Sequence, residues 1–198
     1  MQKQKLYCII GKSGSGKDSV YKRILEKTNL NPIIPYTTRP RRPFEEDGKD
    51  YHFVKDEFMF NNPLVIEKRT YKTVHGDWYY ATVNDGQLQK GDSIIVASPE
   101  QYLNIKKYFD EKGNVDVIPI YIYIDDGIRL QRLVSREMLQ EEPNYFEICR
   151  RYKTDAEDFV VMANERKFLN YSLTECVNEI LKFMEECRWS MWKSIWNQ

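Results

Sequence analysis

The chain lacks any long apolar run. Its early stretch Leu6–Ile10, LYCII, is too short for the hydrophobic region of a signal peptide, and no later run approaches the ~20 apolar residues of a membrane-spanning helix. Cysteine is scarce: Cys8, Cys149, Cys176 and Cys187 form no C-x-x-C pair, which excludes a disulfide framework and reads as reduced thiols in a cytosol. Only two histidines occur, His52 and His75, and neither has metal-ligand spacing to the cysteines, so a zinc site is not expected. Net charge is absent too. Thirty Lys and Arg balance thirty Asp and Glu, so no overall field draws the chain to nucleic acid or to an anionic membrane, and any anion binding must be local. These absences leave a cytoplasmic protein, a monomer or a homodimer, with neither nucleic acid nor membrane as partner.

What is present is an alternation of apolar strands with helices. At 198 residues the chain suits one domain with small inserted lobes. Leu6–Ile10 stops at Gly11, as a buried parallel strand does when helices cover both its faces. Further strands are expected at 93–97 (SIIVA) and 118–124 (IPIYIYI), each followed by a helix. The fold class is therefore α/β, a parallel sheet flanked by helices. Residues 35–90 break the pattern. They are rich in Pro, charge and aromatics, with only short Val/Ile/Tyr pieces, and read as an inserted lobe rather than core sheet. A polar stretch at 135–150 lies between Arg-bearing helices expected at 126–136 and 145–159, and reads as a mobile lid. Residues 173–196 carry Val177, Ile180, Leu181, Met184, Met191, Trp192 and Ile195 at helical spacing, so a long C-terminal helix is expected to pack on the body. Its Trp-rich end, RWSMWKSIW, reads as a core cover before a partner or membrane surface.

The first strand and helix flank GKSGSGKD, Gly11 to Asp18. The G-x-x-x-x-G-K spacing between a strand and a helix is that of a phosphate loop, in which glycines let backbone N–H groups converge on phosphate oxygens at a helix N-terminus. Gly11, Ser13, Gly14, Ser15, Gly16, Lys17, Asp18 and Ser19 are thus the candidate ATP site, with Lys17 reaching the β- and γ-phosphates. Asp18 stands where a Ser or Thr hydroxyl usually meets Mg²⁺. Its carboxylate is a hard oxygen ligand, so one reading makes Asp18 the metal ligand; the other makes it a helix cap, with Ser19 or water serving the metal. In the lobe, Arg39 and Arg42 are three apart with Tyr51 downstream, a grouping suited to a second phosphate, although a solvated basic loop has the same composition.

That stretch resembles the guanylate kinase family, whose GMP-phosphate loop has the form T-T-R-x-x-R, an acid, then G-x-x-Y-x-F-V. Thr37, Thr38, Arg39, Arg42, Glu45, Gly48, Tyr51, Phe53 and Val54 match it. The resemblance runs from residue 5 to residue 185. It implies that Glu67 pairs with the guanine N1 and N2 hydrogens, Tyr80 binds the GMP phosphate and Thr82 lies near the base. It further implies that Arg132 and Arg136 begin the lid, Arg151 follows on the next helix, and Asn170 lies by the adenine of ATP. The implied reaction moves the ATP γ-phosphoryl group to GMP or dGMP with Mg²⁺; Lys17, Arg136 and Arg151 would be catalytic. The sequence departs from the family where its central strand ends in Asp-x-Asp, since Val96 and Ser98 stand there, and in the serine upstream of T-T-R, replaced around Pro35 and Tyr36. The segment HGDWYYAT also has one extra residue and lacks the glycine after the tyrosines. A kinase for another nucleotide or a sugar phosphate, and a non-catalytic interaction module of the same fold, are the alternatives.

Overall fold

The computed structural model describes residues 3–73 and 76–196, apart from the side chains of residues 73, 89, 90 and 189–196; His75 and the apolar end of the C-terminal helix lie outside this description. The chain falls into two compact units, Met1–Cys8 with Leu30–Ile118, and Ile9–Asn29 with Pro119–Gln198.

In chain order the strands of the main sheet are β1 (Gln4–Gly11), β2 (Asn31–Pro32), β7 (Ser93–Val96), β8 (Val115–Tyr123) and β9 (Lys167–Leu169), and the sheet order is β2-β7-β1-β8-β9. β2 pairs with β7 and β8 with β9, both in parallel. The sequence anticipated β1, β7 and β8 because burial on both faces makes them nearly all apolar: Leu6 to Ile10 are fully buried, as are Ile94, Ile120 and Ile122. β2 and β9 escaped notice. They have only two and three residues, too few for any period to register.

Within the first unit a second sheet, in the order β4-β3-β6-β5, is built from β3 (Tyr36–Thr37), β4 (His52–Phe53), β5 (Val65–Thr73) and β6 (Gly76–Val83). Here the structure corrects the expectation of short pieces only. β5 and β6 have nine and eight residues and pair antiparallel from Val65↔Val83 to Thr73↔Gly76. Their polar alternation hides them, since one face carries charge and hydroxyls and the other carries the lobe's small core of Met59, Ala81 and Val83. Tyr36 stacks on Phe58 at 5.0 Å and takes His52 against its ring at 4.5 Å, so His52 is packed as a structural aromatic. The helix α2 (Asp56–Asn61) closes that core, and α3 (Pro99–Lys112) packs on β5.

In the second unit α1 (Lys17–Lys27) buries Val20 and Ile24 and packs on α6 (Leu173–Trp196). α6 turns Cys176, Val177, Ile180 and Met184 inward at helical spacing. The helices α4 (Asp126–Glu137) and α5 (Tyr145–Asp158) pack on each other, with turns and bends between them. The four cysteines are free thiols, and burial pushes those of Cys8 and Cys176 upward, Cys176 to about 11. Among the described residues no helix is long and apolar enough to cross a membrane.

Candidate active site

The second unit carries the phosphate loop. β1 ends at Gly11, the loop turns through Gly14 and Gly16 at φ of 80° and 85°, and α1 begins at Lys17. Both glycines are required twice over. A side chain is strained at those angles, and a Cβ on Gly14 would lie 2.6 Å from the Arg129 carbonyl oxygen while one on Gly16 would strike the Asn170 amide. Around the helix N-terminus opens a cleft of about 270 Å³ lined by Ser13, Gly14, Gly16, Lys17, Asp18, Ser19, Arg132, Leu133, Arg136 and Arg151. Four cationic side chains thus face one carboxylate, where N–H groups and the helix dipole already favour an anion.

The loop is held from outside by residues the sequence did not single out. Asp155 on α5 accepts the Ser13 N–H at 2.9 Å and lies 3.4 Å from its hydroxyl. Arg129 on α4 donates to Asp155 at 2.8 Å, to the Ser13 carbonyl at 3.0 Å and to Asp126 at 2.6 Å, with its guanidinium 4.3 Å above the Tyr152 ring. Arg129 is fully buried, which an arginine tolerates only when paired. Nothing in a helix bearing five charged residues distinguishes it beforehand from its solvated neighbours. Asp155→Ala removes the bridge between the loop and α5 and leaves Arg129 with Asp126 and the Ser13 carbonyl. The expected loss is about 2–3 kcal/mol in urea unfolding, and a loss below about 1 kcal/mol would refute the clamp.

Asn170, expected beside adenine, is buried here. Its amide donates to the Ser15 carbonyl at 2.7 Å, and its own carbonyl accepts Arg132 at 3.1 Å. Ser15 is buried with its hydroxyl turned to Gly11, whose added Cβ would lie 2.5 Å away. Arg136 is exposed. Arg151 donates to Glu147 at 2.7 Å, and Glu147 is also forked by Arg150 with two bonds of 2.7 Å. Arg150 first, then Arg151, holds the Glu147 carboxyl down at about 2 despite partial burial.

The first unit carries the other predicted residues, on its small sheet and on the loop between β3 and β4. Arg39 is buried and uses all three nitrogens: Nε donates to the Tyr80 hydroxyl at 3.0 Å, Nη1 to the Pro40 carbonyl at 2.8 Å and Nη2 to Glu45 at 2.6 Å. The Arg39 bond pulls the Glu45 carboxyl below its ordinary range, and the second Glu45 oxygen accepts the Arg42 backbone N–H at 2.9 Å. Glu45 therefore shapes the loop, while the Arg42 side chain stays exposed. Tyr51 packs edge-on to Tyr80 at 5.8 Å, and its burial pushes its hydroxyl pKa upward.

Glu67 and Thr82 face each other across β5 and β6. Thr82 donates to Glu67 at 2.8 Å and accepts Gln101 at 3.0 Å; Arg69 donates through Nε to the other Glu67 oxygen at 3.1 Å. Burial raises the Glu67 carboxyl above its ordinary value although Arg69 and Thr82 act the other way. Ser98 caps α3 by accepting the Gln101 N–H, and Arg69 Nη1 lies 3.4 Å from its hydroxyl. The sequence did not single out Arg69 and Gln101, because their pairings join residues 29 and 19 positions apart or lie two along a strand.

This geometry can hold one polyphosphate in the cleft and one acid-recognised base on the lobe sheet. The model of the family described as "Guanylate kinase" matches residues 3–144. The chain belongs to the guanylate kinase family. A guanylate kinase of Mycoplasma mobile is 31% identical over 93% of this chain and 94% of its own length. That of Thermotoga maritima is 32% identical over 59% of this chain, which spans only 58% of that relative's length. A crystal structure of guanylate kinase from Anaplasma phagocytophilum shares the fold, with a TM-score of 0.61 at 19% identity, covering 94% of this chain and 87% of that one.

Proposed function

We propose that this protein is an ATP-dependent nucleoside monophosphate kinase that transfers the γ-phosphoryl group of ATP to GMP or dGMP, giving ADP and GDP or dGDP in the cytoplasm. The observation that carries the reading is the buried, donor-backed carboxylate of Glu67 in a family member that keeps an intact Lys17 cleft. Residues 35–90 act as the acceptor lobe and residues 135–150 as the lid.

Gly11 to Ser19 wrap the ATP phosphates, with Lys17 on the β- and γ-oxygens, and Arg132 and Asn170 fix the loop against the nucleotide. The acceptor phosphate is held by Arg42, Tyr51, Tyr80 and Arg39, the last reoriented from Glu45 by a stronger anion. Glu67 accepts the guanine N1 and N2 hydrogens while Thr82 orients it. The acceptor already carries charge, so positioning and neutralisation dominate over general-base catalysis. Arg136 and Arg151 supply that neutralisation on the transferring group, Arg151 leaving Glu147 as the lid orders and water is excluded.

Asp18 and Ser19 are exposed oxygen donors in the Lys17 cleft, which fits Mg²⁺, an ion that keeps several waters and takes one carboxylate beside substrate phosphates. When bound, the ion would offset the charge of the phosphates. With Val96 and Ser98 in place of acids, Asp18 is the carboxylate we assign to it; a nucleotide complex with Asp18 remote from the metal would reject that assignment.

The direct test is ADP formation from Mg-ATP with GMP, dGMP, AMP, CMP, UMP, dTMP and a ribose bisphosphate. Turnover confined to guanine nucleotides is expected, and activity with the bisphosphate alone would redirect the reading. Acid pH supplies a second check. Protonated Glu67 no longer accepts two hydrogens, and its pKa is raised, so GMP affinity is lost as pH falls through a value above the ordinary carboxylate range. The expected KM profile rises on the acid side earlier than an unshifted glutamate gives, and Glu67→Gln loses that limb.

A further inference from the structure

We propose that Arg69 is a specificity-determining residue that reads the O6 and N7 edge of the acceptor guanine beside Glu67. This rests on the guanylate kinase reading above. Glu67 and Arg69 are two apart on β5, so they share one face, and across the register they meet Thr82 and Tyr80 of β6. That face is the one carrying the predicted acceptor contacts. The Arg69 side chain is only 10% exposed and that of Glu67 1%, so Arg69 is no solvated strand cation.

Its hydrogen bonds leave capacity for a ligand. Nε is given to Glu67, and Nη1 approaches Ser98 at a weak 3.4 Å. Neither contact uses the two N–H groups of Nη2. A serine at position 98 accepts one weak bond from the guanidinium, whereas a carboxylate there would have taken the fork. The sequence departure at Ser98 is thus what keeps Arg69 available.

The order of groups matches one base. Along its edge guanine presents the N2 and N1 hydrogens as donors, then O6 and N7 as acceptors. Glu67 and Arg69, locked side by side, present two acceptor oxygens and then guanidinium donors. A forked arginine on O6 and N7 is the commonest specific contact to guanine wherever that edge is read. Adenine fails at both groups, since its N1 lone pair meets a carboxylate and its amino hydrogens meet the guanidinium.

The test compares GMP with 7-deaza-GMP, which replaces only N7 by a carbon. Binding is measured by calorimetry for wild type, Arg69→Met and Arg69→Lys, with thermal melts of each and ADP formation by wild type alongside. Wild type is expected to bind 7-deaza-GMP about tenfold more weakly than GMP, and both variants to bind the two equally, at the weaker level. Arg69→Lys keeps a cation beside Glu67 and guards against a misfolded Arg69→Met. Equal wild-type affinity for the two nucleotides overturns the proposal, as does a variant that folds and still discriminates by N7. A role confined to neutralising Glu67 would leave Arg69→Lys discriminating. Binding with N7 discrimination but no turnover would reject the kinase activity and support Arg69; turnover without discrimination would do the reverse; no GMP binding would reject both.

Discussion

Lys17→Ala is expected to lower the turnover of GMP on the order of a thousandfold while leaving the fold intact. The ammonium lies in the cleft at the N-terminus of α1 and makes no ion pair among the described residues, so its removal unbalances nothing in the free protein. Stability should change by no more than about 0.5 kcal/mol, as at an uncommitted position. In the proposed reaction the same ammonium would offset charge on the phosphates as the γ-group departs, and losing one donor aimed at developing charge costs roughly 10²–10³ in rate or more. Single-turnover ADP formation beside a thermal melt checks both halves. A variant within tenfold of wild type would remove Lys17 from the catalytic machinery, and a variant that melts early would make it structural.

Arg39→Ala is expected to damage both stability and acceptor binding. The buried guanidinium closes the turn onto Glu45, Pro40 and Tyr80, and truncation leaves the Glu45 carboxylate with only the Arg42 backbone N–H among these partners. Breaking a buried pair costs about 3–5 kcal/mol, and the 16% exposure of the Glu45 side chain places this one near 3. The lost charge-assisted bonds to the acceptor phosphate should also raise the GMP KM on the order of a hundredfold. Glu45→Gln separates the two contributions. It weakens the clamp but keeps the cation, so it should lower the melting temperature with a smaller rise in KM. If Glu45→Gln raised KM as much as Arg39→Ala does, Arg39 would act only by holding the loop.

The parts of this protein that were legible beforehand share a short range. A buried strand ending in a G-x-x-x-x-G-K turn and followed by an amphipathic helix is written in consecutive residues, and β1, the loop and α1 stand where that stretch puts them. The lobe at residues 35–90 was visible only as a change of texture. Its hairpin of β5 and β6 alternates between a face of charged and hydroxyl side chains and a small core, so its length could not be told from scattered Val, Ile and Tyr. The family resemblance supplied the candidates on that hairpin, and it named Glu67 without naming the side chains that bond it, Arg69 and Thr82.

By itself, then, the sequence determined the fold class, the phosphate loop with its unusual Asp18, and the candidate residues of the lobe, because each follows from local period, local turn geometry or a contiguous motif. Tertiary structure alone decided which charges are committed. Arg129 and Asp155 clamp the loop from helices more than a hundred residues away in sequence, Arg39 is tied to Glu45 and Tyr80, and Arg69 sits beside Glu67 with donors to spare. A buried ion must find its partner wherever folding brings one within about 3 Å, and no pattern along the chain records that distance.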